Sequence, residues 1–234
     1  MKYSNKTWRA CALCMLAAFA MTTGCQNKPA ETADSTNAAT DSVVAESPLD
    51  NAVVRAIMDR RSVRKYKPEP VPKEMLDVIL HCGINAPNAM NEQRWEVRVT
   101  ESKAFIDGVT KVFIESAKDD ERVQKMVGDP DFRNMFRNAP TVIFVAGKGD
   151  EQSARIDCGL LGENIMLAAQ SMGLGTCCLG SAAGFLNSNP GAANYLKQLA
   201  FSDGYELLYA IAIGYPDESP EAKPRDASKI RYIE

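Results

Sequence analysis

The sequence predicts a sheet covered by helices, of the α/β or α+β class. Three observations lead there. Between residues 51 and 213, stretches with a helical apolar period alternate with short runs of strand character. Two of those runs, 141–146 (TVIFVA) and 206–213 (ELLYAIAI), are nearly all apolar, as strands in the middle of a covered sheet are. The 234-residue chain is 45% hydrophobic and 24% charged, which suits an ordinary globular protein with one domain as the simplest count.

The first 24 residues fall outside that domain. Lys2, Lys6 and Arg9 precede an apolar run at 11–21, and small and polar residues follow, the pattern of an export signal. The run is too short to cross a bilayer as a permanent helix. Two cleavage positions compete. Thr22-Thr23-Gly24-Cys25 resembles a bacterial lipobox, with Thr22 in place of the usual leucine, and would make Cys25 a lipidated N-terminus. Ala18-Phe19-Ala20 is an A-x-A site for ordinary signal peptidase. The lipobox is preferred because a long polar stretch follows it. Cys11 and Cys14 lie inside the apolar run, so no metal or redox role is expected of them.

Residues 25–48 are read as the lipidated cysteine and a tether. Their Ala, Thr, Ser, Asn, Asp and Glu, without an aromatic residue, cannot bury enough surface to fold. A flexible chain of that length reaches about 25–30 Å, enough to lift a domain clear of a membrane. The expected location is therefore the bacterial cell envelope, on its periplasmic or surface face, with the membrane held through a lipid anchor. Losing the signal removes three positive charges and no negative ones, so the formal net charge of -3 becomes -6. No basic stripe remains to neutralise a phosphate backbone, which argues against nucleic acid as a partner.

The folded domain is expected over 49–234. It opens with a helix at 51–60, where Val53, Val54, Ile57 and Met58 share a face. Pro72 starts a second helix, whose stripe of Met75, Leu76, Ile79, Leu80 and Cys82 runs to Gly83. After an amide-rich loop, Trp95, Val97 and Val99 alternate with Glu96, Arg98 and Thr100, as in a strand with one buried face. A helix over 102–118 carries Phe105, Ile106, Val109, Val112 and Phe113 on one side. The stretch 119–138, broken by Gly128, Asp129 and Pro130, shows no readable period. Then come the strand at 141–146, a long helix at 156–172, a short buried strand at 176–179, a helix at 189–199 and the last strand at 206–213.

Two clusters carry chemistry. Arg60, Arg61, Ser62 and Arg64 crowd the end of the first helix; guanidinium groups fork onto phosphate oxygens, and a hydroxyl adds a neutral donor. The bland alternative is a solvated basic helix end, which the macrodipole favours. The loop at 86–93 offers Asn88, Asn91 and Gln93, side chains that both donate and accept, as a flat heterocycle with carbonyls and ring nitrogens requires. Together they suit one ligand with an anionic tail and a polar planar head.

Other chemistries fare worse. His81 is the one histidine, so a histidine metal pair cannot form, and with no G-x-S-x-G elbow a serine triad has no support. Gly147-Lys148-Gly149 and Gly173-Leu174-Gly175 each lack the third glycine and the strand-loop-helix setting of a dinucleotide-binding turn. Cys82, Cys158, Cys177 and Cys178 lie in the folded part, and packing is the expected role of the adjacent pair on its short strand.

The motifs RRSVRKY and APNAMNEQRW, the helix IDCGLLGENIMLAAQSMGLGTCCLG, the strand ELLYAIAIGYP and the closing KPR resemble, in order, those of the nitroreductase family of flavin enzymes, over residues 49–234. The resemblance implies a central mixed, mostly antiparallel sheet covered by helices, in a domain-entwined homodimer with FMN. It implies that Arg60, Ser62 and Arg225 hold the FMN phosphate with help from Lys223, and that Arg61 lies near the phosphate or the ring. Arg64 would face the pyrimidine edge of the flavin, where a fixed cation stabilises the negative charge of reduction. Asn91 would bind the same edge, with Gln93 in the same loop and Pro87, Asn88 and Ala89 along the ring; the backbone of Cys178, Leu179 and Gly180 would face N5. Arg94 departs from the proline usual before the tryptophan. The activity implied is ping-pong reduction of nitroaromatics, quinones or another electron-poor small-molecule acceptor by NAD(P)H. The rival is an envelope lipoprotein that binds flavin or another small molecule without turnover.

Overall fold

The computed structural model describes residues 50–234; the signal segment, Cys25 and the tether lie outside the described residues. Four strands, β1 (Trp95–Thr100), β2 (Thr141–Lys148), β3 (Gly175–Leu179) and β4 (Tyr205–Gly214), form one sheet in the order β1-β2-β4-β3. All three pairings are antiparallel. The parallel component of the expected mixed sheet is reduced to an isolated bridge between Ser62 and Thr176. The described helices are α1 (Ala52–Asp59), α2 (Lys73–Ile84), α3 (Lys103–Ser116), α4 (Glu121–Val127), α5 (Gln152–Ser171), α6 (Gly180–Ser188) and α7 (Ala193–Gln198).

β2 and β4 are buried because helices cover both faces of the sheet. Side-chain alternation divides the interior. Val142, Phe144, Ala210 and Ala212 join Phe105, Ile106 and Val109 of α3 and Ala182, Ala183 and Leu186 of α6. Ile143, Val145, Ile211 and Ile213 join Leu76 and Ile79 of α2 and Leu161, Ile165 and Ala169 of α5. Phe144 meets Phe105 and Phe136 edge to face, at 5.9 and 5.8 Å between centroids, an arrangement that matches positive ring edges to negative faces.

Several elements differ from the sequence reading. α5 begins four residues before the expected 156, at a point where Glu151 provides no side-chain cap. α6 was not anticipated; its Gly, Ser and Ala carry little periodic signal, and the helix is set by packing Ala182, Ala183 and Leu186 onto the sheet. The helix expected at 189–199 divides into a 3-10 turn, Pro190–Ala192, and α7, because Asn189 caps the turn by accepting from the Gly191 N–H. Stretch 119–138 contains α4, capped by Asp120, and then a loop. Cys177 is buried as expected, but Cys178 is exposed, because neighbours on a strand point to opposite faces. The apolar face of α1 has no cover among the described residues, and Val53, Ile57 and Met58 are each at least half exposed.

Gly175 sets one close approach. A Cβ there would lie 2.8 Å from Val63 Cγ2, so a side chain would push the 60–66 segment away from β3. Gly175→Ala is expected to destabilise the fold by about 1–3 kcal/mol, read as a lowered urea midpoint. A second expectation concerns alkali. Burial, aided by the neighbouring Asp157, pushes the Cys158 thiol up to about 11, above its ordinary 9.0. Burial raises Tyr66 and Tyr209 as well. A raised folded value contributes stability that is complete below the unfolded pKa and lost as pH climbs through the folded one. Thermal stability should therefore fall between about pH 9 and 11. The fall should be shallower in Cys158→Ala, whatever that variant's starting Tm.

Candidate functional site

The segment after α1 carries the arginines in an extended conformation. Arg60 ends the helix with φ -57 and ψ 131 and donates its N–H to Ala56 O at 3.1 Å. Beyond it, the Val63 N–H donates to Thr176 O of β3 at 2.9 Å, Lys67 N–H to Tyr215 O at 2.9 Å and Asp217 N–H to Lys65 O at 2.9 Å. Val63 and Tyr66 are buried, and the Tyr66 hydroxyl donates to Val63 O at 2.6 Å. The segment is thus sewn to β3 at one end and to the exit of β4 at the other. Val63 and Tyr66 pack inward while Arg64 is exposed and Arg60 and Ser62 are part-buried.

The arginines are not equivalent. Arg61 turns back and donates to Met58 O and Arg60 O at 2.7 and 2.9 Å, closing the end of α1 rather than pointing outward. Arg60 is half-buried, with Nε 4.0 Å from Glu163 of α5. Arg64 donates its guanidinium to Ser62 O at 2.9 Å, and its backbone N–H donates to the Glu218 carboxylate. The tail leaves β4 antiparallel to this segment, through the Tyr66–Pro216 bridge. Lys223 and Arg225 are exposed farther along it, where Arg225 donates only to Lys223 O and Pro224 O, at 3.2 and 3.5 Å.

The amide loop is held by two side chains. Asn88 Oδ1 accepts from the Gln93 N–H at 2.9 Å, and Asp157, buried in α5 with 4% exposed, accepts from the Ala89 N–H with both oxygens at 3.2 Å. Between these anchors Met90, Asn91 and Gln93 have φ of 51, 56 and 49, in the left-handed region that non-glycine residues seldom occupy. Asn91 and Gln93 are exposed, and Pro87, Asn88 and Ala89 line a shallow cavity with Ser153, Ile156 and Asp157. Arg94, the departure from proline, ion-pairs with Glu92 and Glu151 and donates to Ser153 Oγ at 3.2 Å, so it ties the loop to the start of α5. Asp157 and Arg94 both lie inside the quoted motifs, but their anchoring roles were not legible there, because each depends on a contact between the amide loop and α5.

The third part is the junction of β3 and α6. Cys178 is exposed, but burial of its thiol raises its pKa, so it offers little thiolate. Leu179 occupies the N-cap of α6 without a side-chain cap, and a Cβ on Gly180 would meet open space. The first N–H groups of the helix, from Gly180 onward, can therefore face an outside acceptor. No single cavity unites the three parts. Segment 60–64 meets β3 near the junction at 178–180, on one edge of the sheet, whereas the amide loop leads into β1 on the opposite edge and is held by α5.

Comparison with known proteins bears on these parts. The sequence pattern described as the nitroreductase family matches residues 57–215. A Vibrio harveyi NADPH-flavin oxidoreductase is 28% identical over 187 residues, covering 75% of this chain and 70% of its own. Among solved structures, a nitroreductase with bound FMN from Bacteroides fragilis is similar at a TM-score of 0.68 and 26% identity, covering 79% of this chain and 100% of its own. One from Desulfitobacterium hafniense, also with bound FMN, has a TM-score of 0.70 at 27% identity, with the same coverage.

Asp157→Ala should leave the Ala89 N–H without its acceptor and cost about 1–3 kcal/mol, whereas Asp157→Asn keeps an acceptor oxygen in place and should recover part of that loss. Amide exchange at Ala89 and Gln93 checks it: protection should drop locally in the alanine variant and less in the asparagine variant.

Proposed function

The chain belongs to the nitroreductase family, and from that premise we propose that it is an FMN-dependent NAD(P)H oxidoreductase that reduces nitroaromatics, quinones or similar electron-poor acceptors. The observation that carries this reading is the extended segment that lays Arg60, Ser62 and Arg64 along one edge beside the uncapped start of α6. Its donor set fits FMN. Guanidinium and hydroxyl groups suit a phosphate, a lone cation at Arg64 suits an electron-rich ring edge, and backbone N–H groups suit a ring nitrogen. Bound there, FMN would supply the capacity to take a hydride from one molecule and pass it to another.

The chain's own residues would bind and orient. Arg60 and Ser62, with Arg225 and Lys223 from the tail, would hold the phosphate; Arg61, already committed to the end of α1, would assist only through its charge. Arg64 would keep a fixed positive charge at the pyrimidine edge, and Asn91 would hydrogen-bond there. Pro87, Asn88, Ala89 and Gln93 would wall the ring, while the backbone from Cys178 to Gly180 would face N5. None of these groups needs to exchange a proton. Donor and acceptor would occupy one place in turn, which is ping-pong kinetics.

A second copy of the chain would complete the site in a homodimer. The exposed Val53, Ile57 and Met58 of α1 and Ile156 and Leu160 of α5 support it, because apolar side chains on adjoining helices call for a cover. Residues 1–24 would be the export signal and Cys25 the lipid anchor, with residues 25–48 linking the domain at 49–234 to an envelope membrane.

The test is the visible spectrum of the purified full chain incubated with FMN. A bound-flavin spectrum that bleaches anaerobically with NADH or NADPH, and returns on adding a nitroaromatic, is expected; a protein that stays colourless would overturn the reading. Arg60→Ala should weaken FMN binding by at least about tenfold through loss of a charge-assisted phosphate contact. Arg64→Met should lower the flavin midpoint potential, because the reduced form loses its counter-charge.

A further inference from the structure

A cavity of about 400 Å³ opens beside Arg64, under the loop that follows α4. That volume is in the range of small-molecule sites. Its wall carries Arg64, Lys65, Arg133 and Arg137 as well as Asp129, Asp131 and Asp217. Three of these are already engaged, Arg64 through its guanidinium's bond to Ser62 O at 2.9 Å. Arg133 donates its guanidinium to Tyr66 O and Asn138 O, and Asp129 accepts from the Asp131 N–H at 2.9 Å. Arg64, Lys65 and Arg137 form no ion pair among the described residues, and the Arg137 side chain makes no hydrogen bond there either.

Arg137 is nevertheless held with care. Its φ is 60 and that of Asn138 is 64, both left-handed without glycine. The Asn138 side chain accepts from the Arg133 and Asn134 N–H groups at 2.7 and 3.0 Å and donates to Asp131 O at 3.0 Å. Asn134, itself buried, donates to Ala139 O at 3.2 Å and accepts from the Phe136 N–H at 2.9 Å. A loop fixed by five hydrogen bonds thus maintains an unfavourable backbone around a guanidinium that has no hydrogen-bond or ion-pair partner among the described residues. Strain kept in place by its surroundings points to use of the residue that bears it. Tyr66, in the cavity wall, is held up by burial, with Glu218 raising its pKa further and Arg64 and Arg137 lowering it. In a chain of net negative charge, four basic and three acidic side chains share the wall of this cavity, and Arg64, Lys65 and Arg137 have no ion-pair partner among the described residues.

We propose that this cavity is the subsite for an oxyanion, carboxylate or phosphate, carried by the substrate, with Arg137 as its main partner and Lys65 beside it. The assignment of that anion to a substrate rests on the flavin reading, since Arg64 would then border the cavity on one side and the cofactor on the other. The enzyme would accordingly select substrates that bear an anionic group next to the reacting ring. Two sources share this chemistry: a carboxylate on the aromatic acceptor and a phosphate on the nicotinamide donor.

The variant is Arg137→Asn, because asparagine tolerates the left-handed backbone while removing the guanidinium; Lys65→Gln is its companion if the loop is disturbed. Calorimetric titration of the full chain with benzoate needs no turnover. Arg137→Asn should weaken benzoate by about tenfold and leave benzamide alone, while added salt should weaken benzoate for the unaltered protein more than for the variant. In steady state, a rise in the ratio of KM for para-nitrobenzoate to that for nitrobenzene would assign the anion to the acceptor. A rise in the ratio for NADPH to NADH would assign it to the donor. Benzoate binding that is absent, or equal in variants and parent, with both ratios unchanged, overturns the proposal. Benzoate bound through Arg137 by a protein that takes up no FMN would sink the oxidoreductase reading and leave the anion site standing. Flavin that bleaches normally while neither variant alters any of these quantities would do the reverse.

Discussion

The ladder between β2 and β4 is the constraint on which the other elements depend. The two strands lie in the interior with helices on both faces, so the backbone N–H and C=O groups of their middle find partners only on neighbouring strands, on each other and, outward, on β1 and β3. Leaving one unpaired away from water costs as much as a lost hydrogen bond, and this makes the pairing obligatory. Alternation along the ladder then sorts Phe144 and Ala212 to one side and Ile143 and Ile211 to the other, and each side recruits its own helices. The register slips once, between Val145 and Ala146.

The candidate site is a consequence of where that ladder ends. β4 runs out through Gly214, whose missing Cβ leaves room for Pro140 at 2.9 Å and Tyr66 at 3.2 Å. The chain from 62 to 67 fastens to β3 on one side and to residues 215–217 on the other, with no regular element of its own. Arg60, Ser62 and Arg64 therefore inherit their positions from the sheet edge. The amide loop reaches its place by a different route, through Asp157 and Arg94 on and beside α5. Strand edge and helix are joined by the same core, which is why a ligand could meet both without either part being a loop free to move alone.

The cationic side chains divide by what they touch. Arg61, Arg98 and Arg133 spend their guanidinium groups mainly on backbone carbonyls, and Arg98 also lies 5.0 Å over the Phe201 ring. Arg94 is balanced by Glu92 and Glu151. Arg60 faces Glu163 at 4.0 Å, Arg64 and Arg225 bond carbonyls within two residues of themselves, and Arg137, on its strained loop, makes no side-chain hydrogen bond or ion pair among the described residues. A sequence count of arginines could not make that division, because Arg98 and Arg133 are decided by carbonyls distant along the chain and Arg94 in part by Glu151.

Much was nonetheless legible in the residues. The period of two in 95–100 and the unbroken apolar runs at 141–146 and 206–213 determined the three strands that build most of the sheet, because local alternation and burial report directly on strand environment. Ordered motifs, from the arginine cluster through the amide loop to the closing KPR, determined the family and the cofactor chemistry it implies. Only the tertiary structure decided that α6 exists, that Arg60 lies against Glu163, that Asp157 anchors the loop, and that Arg137 lines a cavity with Arg64 and Lys65. Those facts depend on contacts between residues far apart in the chain, such as Asp157 with Ala89 or Val63 with Thr176, and such contacts leave no period, spacing or composition behind to be read.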